Sequence, residues 1–177
     1  MKNIVKSILC ITLISTNAFA EHVIGANVGY GNQTFELNKT TNDGDAFNID
    51  AYYRYMLTPF AGLEGGWTSS MGGIGSIIVG EVSEIKDASF SGPKVSVFLQ
   101  YPLINNNYIY TKLGVNKYTV DYTINDVSKD ESKVGFEASL GFESRFSSGF
   151  GINVEYRNIN NEIIKANQFM LGASYKF

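Results

Sequence analysis

What constrains this chain most is a period of two. Eight stretches alternate apolar residues with polar residues or glycine, so that each, drawn as a β-strand, has one oily face and one polar face. The oily faces run Ile24, Ala26, Val28, Tyr30; then Phe47, Ile49, Ala51, Tyr53, Tyr55; then Ala61, Leu63, Gly65, Trp67; then Val95, Val97, Leu99, Tyr101. The second half repeats the pattern with Ile109, Thr111, Leu113, Val115; Val134, Phe136, Ala138, Leu140, Phe142; Ile152, Val154, Tyr156; and Phe169, Leu171, Ala173, Tyr175, Phe177. No helical period of useful length competes with it.

The distribution of charge decides what surrounds such strands. The opposite faces carry Asp50, Arg54, Glu64, Lys94, Lys112, Glu137, Glu143, Glu155 and Arg157 together with many glycines, while the oily faces carry almost no charge. A soluble sandwich buries its oily faces against each other and wets its polar ones. A soluble barrel would not need so many outward aromatics at its strand ends. Here Tyr55, Tyr101, Phe146, Phe150 and Phe177 are placed to form one aromatic girdle, and Tyr30, Phe47, Trp67, Tyr156 and Phe169 the other. Each stretch matches the roughly 9–11 residues of a tilted membrane strand. The expectation is an all-β, transmembrane, eight-stranded antiparallel up-and-down β-barrel with lipid as its solvent.

The breaks fit that topology. Leu57-Thr58-Pro59, Pro102–Asn107 and Ser147-Ser148-Gly149 are short turns, expected on the periplasmic side, and the longer polar stretches Glu36–Asp45, Ser69–Asp87, Tyr122–Ser132 and Asn158–Ala166 are expected as extracellular loops. Residues 1–20 read as a cleaved signal peptide: Lys2 and Lys6, an apolar Ile8–Ile14, and a small-x-small Ala18-Phe19-Ala20 before Glu21. About seven apolar residues are too few for a helix that needs roughly 20 to span. Cys10 leaves with that segment, so the mature domain, 21–177, has no thiol chemistry. Without Lys2 and Lys6 the formal charge moves from −3 to −5, which argues against nucleic acid as a partner.

Several strings resemble a known family. Pro59-Phe60-Ala61-Gly62-Leu63-Glu64-Gly65-Gly66-Trp67 resembles the third strand of the OmpA transmembrane domain. Tyr101-Pro102-Leu103, Tyr108–Gly114, Val154-Glu155-Tyr156 and the closing Leu171–Phe177 continue the likeness in order. By that resemblance Tyr175 and Phe177 are the C-terminal signal read by the barrel assembly machinery, with periplasmic chaperones as transit partners. Where OmpA continues into a peptidoglycan-binding domain, this chain is expected to stop at its last strand. In length it is closer to the OmpX and Ail group, whose members include adhesins and serum-resistance factors. Glu64, Glu143 and Glu155 match interior acids of OmpA and Lys112 an interior arginine, but the family's interior lysine on strand four is Phe98 here and its arginine on strand seven is Asn153. The OmpA pairings therefore do not transfer intact.

Site chemistry is sparse. Barrel enzymes that modify lipids use a histidine with a serine, and the sole histidine, His22, falls at the start of strand one. No metal, cofactor or catalytic residue is expected, and the chain reads as a non-enzyme. The polar faces place Arg54, Glu64, Lys112, Glu143, Glu155 and Arg157 within a narrow lumen. An eight-stranded barrel is only just wide enough for side chains to fill it, so these charges are expected to pair into a structural plug. Lys112 and Glu143, on neighbouring strands, are the expected pair. In the second long stretch Met71, Ile74, Ile77, Ile78 and Val79 form a candidate contact surface for a host protein, as readily as an extension of the flanking strands. Acids outnumber bases in the loops, which disfavours heparin-like polyanions.

These readings converge on a monomeric barrel in the outer membrane of a Gram-negative bacterium, with membrane lipid around it. Its expected work is structural and adhesive, presenting extracellular loops to host surface or matrix proteins in the manner of a virulence factor. A narrow ion channel or ligand gate is the alternative.

Overall fold

The computed structural model describes residues 20–37, 40–72, 85–124 and 127–177. Eight strands follow one another: β1 Glu21–Leu37, β2 Thr40–Met56, β3 Ala61–Gly72, β4 Ile85–Pro102, β5 Asn107–Ile124, β6 Val127–Arg145, β7 Phe150–Asn161 and β8 Ile164–Lys176. Each pairs antiparallel with the next, and β1 closes on β8 through pairs such as Ala26↔Ala173 and Tyr30↔Phe169, giving a closed barrel. Closure removes the unpaired edges that hydrocarbon would not tolerate.

The alternation sorts the side chains as the sequence predicts. Ile24, Val28, Leu63, Val97, Leu113, Leu140, Val154 and Leu171 face outward, while their neighbours Val23, Asn27, Glu64, Ser96, Lys112, Ser139, Glu155 and Met170 are buried in the lumen. Aromatics gather at the two ends of the outward band. Phe47, Tyr30, Phe169 and Tyr156 are consecutive cross-strand neighbours, with the Tyr156 and Phe169 rings 5.1 Å apart. At the other end Phe146 stacks on Phe150, and Phe177 stacks on His22 at 5.7 Å.

One end of the barrel closes through tight turns. Thr58 Oγ1 accepts the N–H groups of Phe60 and Ala61, which sets the β2–β3 turn, and Asn105 and Asn106 adopt positive φ in the 3₁₀ turn before β5. Asparagine tolerates that left-handed conformation better than other side chains.

The other end departs from expectation. Three of the four stretches read as loops are strand over most of their described residues, while 73–84 of the remaining one lies outside the described residues: β1 and β2 stay paired to Leu37↔Thr40, and β5 and β6 to Ile124↔Val127. Only Glu162 and Ile163 separate β7 from β8. Above the bilayer the outer face is wet, so it no longer needs apolar residues, yet backbone pairing continues regardless of side-chain polarity. The strands therefore rise past the membrane as a crown, with long paired hairpins at β1–β2 and β5–β6. The β4–β5 wall is irregular in two places, with a register shift between Lys86 and Ser89 and, lower down, a gap in the ladder. Between the pairs Ser91↔Thr119 and Lys94↔Asn116 the β4–β5 ladder skips Gly92 and Pro93, since proline has no N–H to donate.

Candidate functional site

The lumen is filled in three layers. Towards the tight turns, Met56, Phe98 and Tyr110 form a small apolar cluster. Around and above it lies a block of ionised side chains, in which Glu143 and Arg145 come nearest the turns, and at the mouth Phe35, Phe90, Tyr118, Val120, Ile159, Ile163, Ile164 and Ala166 pack into a second apolar cluster. Tight packing needs glycine at places: Tyr110 lies directly across from Gly141, and a Cβ there would run into the tyrosine ring.

The charged block begins at Arg54. Its Nη2 lies 2.8 Å from Glu64 Oε2, its Nη1 lies 3.2 Å from Glu143, and its guanidinium stacks 3.5 Å over the Phe98 ring. Lys112 bridges two acids, with Nζ 3.0 Å from Glu64 and 2.7 Å from Glu155. Glu143 also accepts from Arg145 at 2.9 Å and from the Ser174 hydroxyl at 3.0 Å. Arg157 carries the network upward: Nε donates to Glu155 at 3.2 Å and Nη2 to Asp50 at 2.9 Å. Asp50 further receives Lys94, Thr68 and Asn27, and Glu137 completes the set by accepting from Tyr118 at 2.8 Å. The buried acids among the described residues are Asp50, Glu64, Glu137, Glu143 and Glu155, and the buried bases Arg54, Lys94, Lys112, Arg145 and Arg157, so the block is electroneutral. Neutrality and multiple hydrogen bonds per charge are what let ions survive away from water.

All six charged residues singled out from sequence lie in this block, but the expected Lys112–Glu143 pair does not form. The register sets Lys112 opposite Ser139 and Glu143 opposite Tyr108, four residues closer to the tight turns. Long side chains reach across the tube rather than along the wall, so Lys112 finds acids on β3 and β7 instead. Asp50, Lys94, Glu137 and Arg145 were missed as network members. The signal for them was parity: each sits an even number of residues from a network member already on its strand, or, for Lys94, beside an outward valine.

The other candidates lie elsewhere. His22 sits on the outer wall at the turn end, hydrogen-bonded to Tyr53 Oη, stacked on Phe177 and tilted against Tyr55. Tyr175 and Phe177 face outward, and the Phe177 N–H donates to the His22 carbonyl, tying the last residue to the first strand. Met71 is half exposed at the top of β3, and Ile74, Ile77, Ile78 and Val79 lie outside the described residues. Among the described residues no group of three His, Cys, Asp or Glu side chains is arranged to hold a metal.

Comparison with known proteins adds the following. The model of the family described as outer membrane protein beta-barrel domain matches residues 7–177. The attachment invasion locus protein of Yersinia enterocolitica is 26% identical over 96% of this chain and 94% of its own length. The crystal structure of Ail, the attachment invasion locus protein of Yersinia pestis, superposes with a TM-score of 0.59 at 20% identity, covering 90% of this chain and 99% of that one. The same Yersinia pestis protein is known in complex with the heparin analogue sucrose octasulfate, with a TM-score of 0.52 at 18% identity over 90% of this chain and 99% of that one. Neisserial surface protein A gives a TM-score of 0.68 at 10% identity, over 88% and 97% respectively.

Proposed function

The chain belongs to the outer membrane protein β-barrel family, and from that premise we propose that it is a non-enzymatic, non-conducting surface barrel whose crown mediates attachment to host surface or matrix proteins. The observation that carries this reading is the filled lumen. Ten buried ionised groups pair among themselves, and an apolar cluster covers them at the mouth. A tube closed twice over leaves no water column for ions, which argues against the channel alternative. Among the described residues it also leaves the lumen without room for a substrate, and the one histidine is on the outer wall, tied to Tyr53. What remains available for recognition is the crown.

The attachment named for the Yersinia relative fits that surface in kind. Its sulfated ligand does not, because among the described side chains Asp43, Asp45, Asp121, Asp130, Glu131 and Glu162 outnumber Lys117, Lys129, Lys133 and Lys165. A protein partner, met through paired strands and hairpin tips, suits the geometry better. On export residues 1–20 are removed, periplasmic chaperones carry the unfolded chain, and Tyr175 and Phe177 present the signal read by the assembly machinery. Once folded, the barrel works as a monomer in lipid.

Shortening the crown tests the reading. Replacing 122–129 with an Asn-Gly turn, and separately 72–84, leaves the membrane part of every strand in place. At least one variant is expected to lose binding to host cells while still showing the heat-dependent gel shift of a folded barrel. Full binding by a protein with both hairpins shortened overturns the proposal, as does a stepwise ionic conductance in the parent.

A further inference from the structure

We infer that the outer wall of the crown over β7, β8, β1 and β2 binds a neutral oligosaccharide side-on. Three outward rows cross these four strands. The lowest is the aromatic row of Tyr156, Phe169, Tyr30 and Phe47, at the rim of the lipid zone. Directly above it, again as consecutive cross-strand partners, come Asn158, Asn167, Asn32 and Asp45. The third row is Asn160, Lys165, Thr34 and Asp43.

Six of the eight residues in the two upper rows are Asn or Asp, which strands disfavour. These positions are outward and regularly paired, so threonine would stay as wet and serve the ladder better. Solvation alone therefore does not account for them. Asn158 Nδ2 donates to Asn167 Oδ1 at 2.8 Å, and Tyr156 Oη donates to the same oxygen at 3.0 Å. Those bonds fix the two amides and leave Asn167 Nδ2, a donor, beside Asn158 Oδ1, an acceptor. Asn32 and Asn160 form no side-chain hydrogen bond among the described residues.

A pyranose complements this face. Its vicinal hydroxyls each donate and accept, as neighbouring amides require, and its C–H face packs on the electron-rich face of an aromatic ring. Phe169, 73% exposed, offers the most open ring of the lower row. Charge narrows the class further. The upper rows carry Asp43 and Asp45 against Lys165, and the aromatic row carries no charge. A sulfated, sialylated or phosphorylated sugar would meet like charge there. The same balance disfavours the anionic headgroups of the surrounding leaflet and leaves a neutral glycan of an opposing cell surface. That outside source rests on the attachment reading, to which the rows add a second, lateral contact separate from the hairpin tips.

The test is saturation-transfer NMR on the folded barrel, Glu21–Phe177, in detergent micelles. The probes are an N-acetyllactosamine tetrasaccharide, mannopentaose and the sialylated form of the first, and the heat-dependent gel shift checks folding. The parent should bind at least one neutral probe, and the sialylated probe should bind more weakly than its neutral form. Asn32→Thr combined with Asn167→Thr should fold as the parent does and lose about tenfold in affinity. Thr119→Ala, on the far wall, should match the parent. The hairpin-shortened proteins keep all three rows and should bind the sugar normally even where they no longer attach to cells, so the two readings fail separately. Absence of binding to both neutral probes, undiminished binding by the double threonine variant, or preference for the sialylated probe each overturns the assignment.

Discussion

Below the level of Tyr30 and Tyr156 the barrel is oily outside and charged inside; above it the polarity is reversed. On β7, Val154 and Tyr156 face lipid and flank buried Glu155, but two residues later Asn158 and Asn160 face out and flank buried Ile159. On β5 the outward Leu113 and Val115 give way to Lys117, Thr119 and Asp121, and the inward Lys112 and Asn116 give way to Tyr118 and Val120. One continuous ladder is thus a membrane barrel in its lower part and a water-soluble barrel in its crown. The strand backbone is indifferent to the change, since its hydrogen bonds run between strands in either solvent. What the difference teaches is that the plug and the cap perform one task, closing the tube, with whichever chemistry the outer face leaves available. Strands that were apolar on both faces within the bilayer would read as long apolar runs, which the two-residue alternation avoids.

The charged zone should be the more brittle. Lys112 neutralises Glu64 and Glu155 at once, and removing one partner of a buried ion cluster costs about 3–5 kcal/mol, while removing both sides costs much less. Lys112→Met should therefore unfold at clearly lower denaturant than the parent. Adding Glu155→Gln should restore much of the loss, and adding Glu143→Gln should not, because Glu143 answers to Arg54 and Arg145 instead. Equal rescue by both second substitutions would mean that the cluster behaves as one diffuse charge pool rather than as specific pairs.

The apolar cap should respond in the ordinary way of a soluble core. Ile159 is wholly buried among Phe35, Phe90 and Tyr118. Ile159→Ala removes three carbons from a packed site and should lower stability by about 2–3 kcal/mol, with no dependence on salt. Planar-bilayer conductance should stay at the parent's level, since the ionised block still fills the tube beneath. A channel opened by Ile159→Ala alone would show that the cap, and not the charges, is the seal.

How much of this was legible follows from the same inversion. Outward apolar residues mark the membrane zone, and there every inward and outward assignment from Val23 to Tyr175 can be read from the chain. The crown reads as loop because its outward residues are not the oily ones that mark a lipid-facing strand. Yet Tyr118-Thr119-Val120-Asp121 and Asn158-Ile159-Asn160 alternate as strictly as the strands below them, with the sense reversed. The pairing inside the lumen is less accessible. Parity places Lys112 and Glu143 in the tube, but which acid a long side chain reaches depends on the shear between strands, and that offset is a property of the closed barrel.

The smallest effect is expected at the rim, where the two zones meet bulk water. Lys133 on β6 lies 3.2 Å from Glu131 on its own strand and 3.2 Å from Glu162 in the β7–β8 turn. Hydrogen bonds to Glu162 and then Glu131 hold its ammonium above the usual lysine range. A lysine raised in the folded state lends its stability at every pH below its unfolded value of about 10.4 and loses it as pH climbs through the folded value. Glu162→Gln should accordingly give a slightly lower thermal midpoint than the parent at neutral pH and low salt. The gap should close at molar salt, where screening reaches only about 3 Å, and close again when the pH is taken well into the alkaline range. The buried Lys112 cluster, shielded from both ions and hydroxide, should show neither dependence. Should Glu162→Gln instead cost as much as Lys112→Met, and keep that cost in molar salt, the β7–β8 turn would have to be counted with the sealed interior and not with the wet crown.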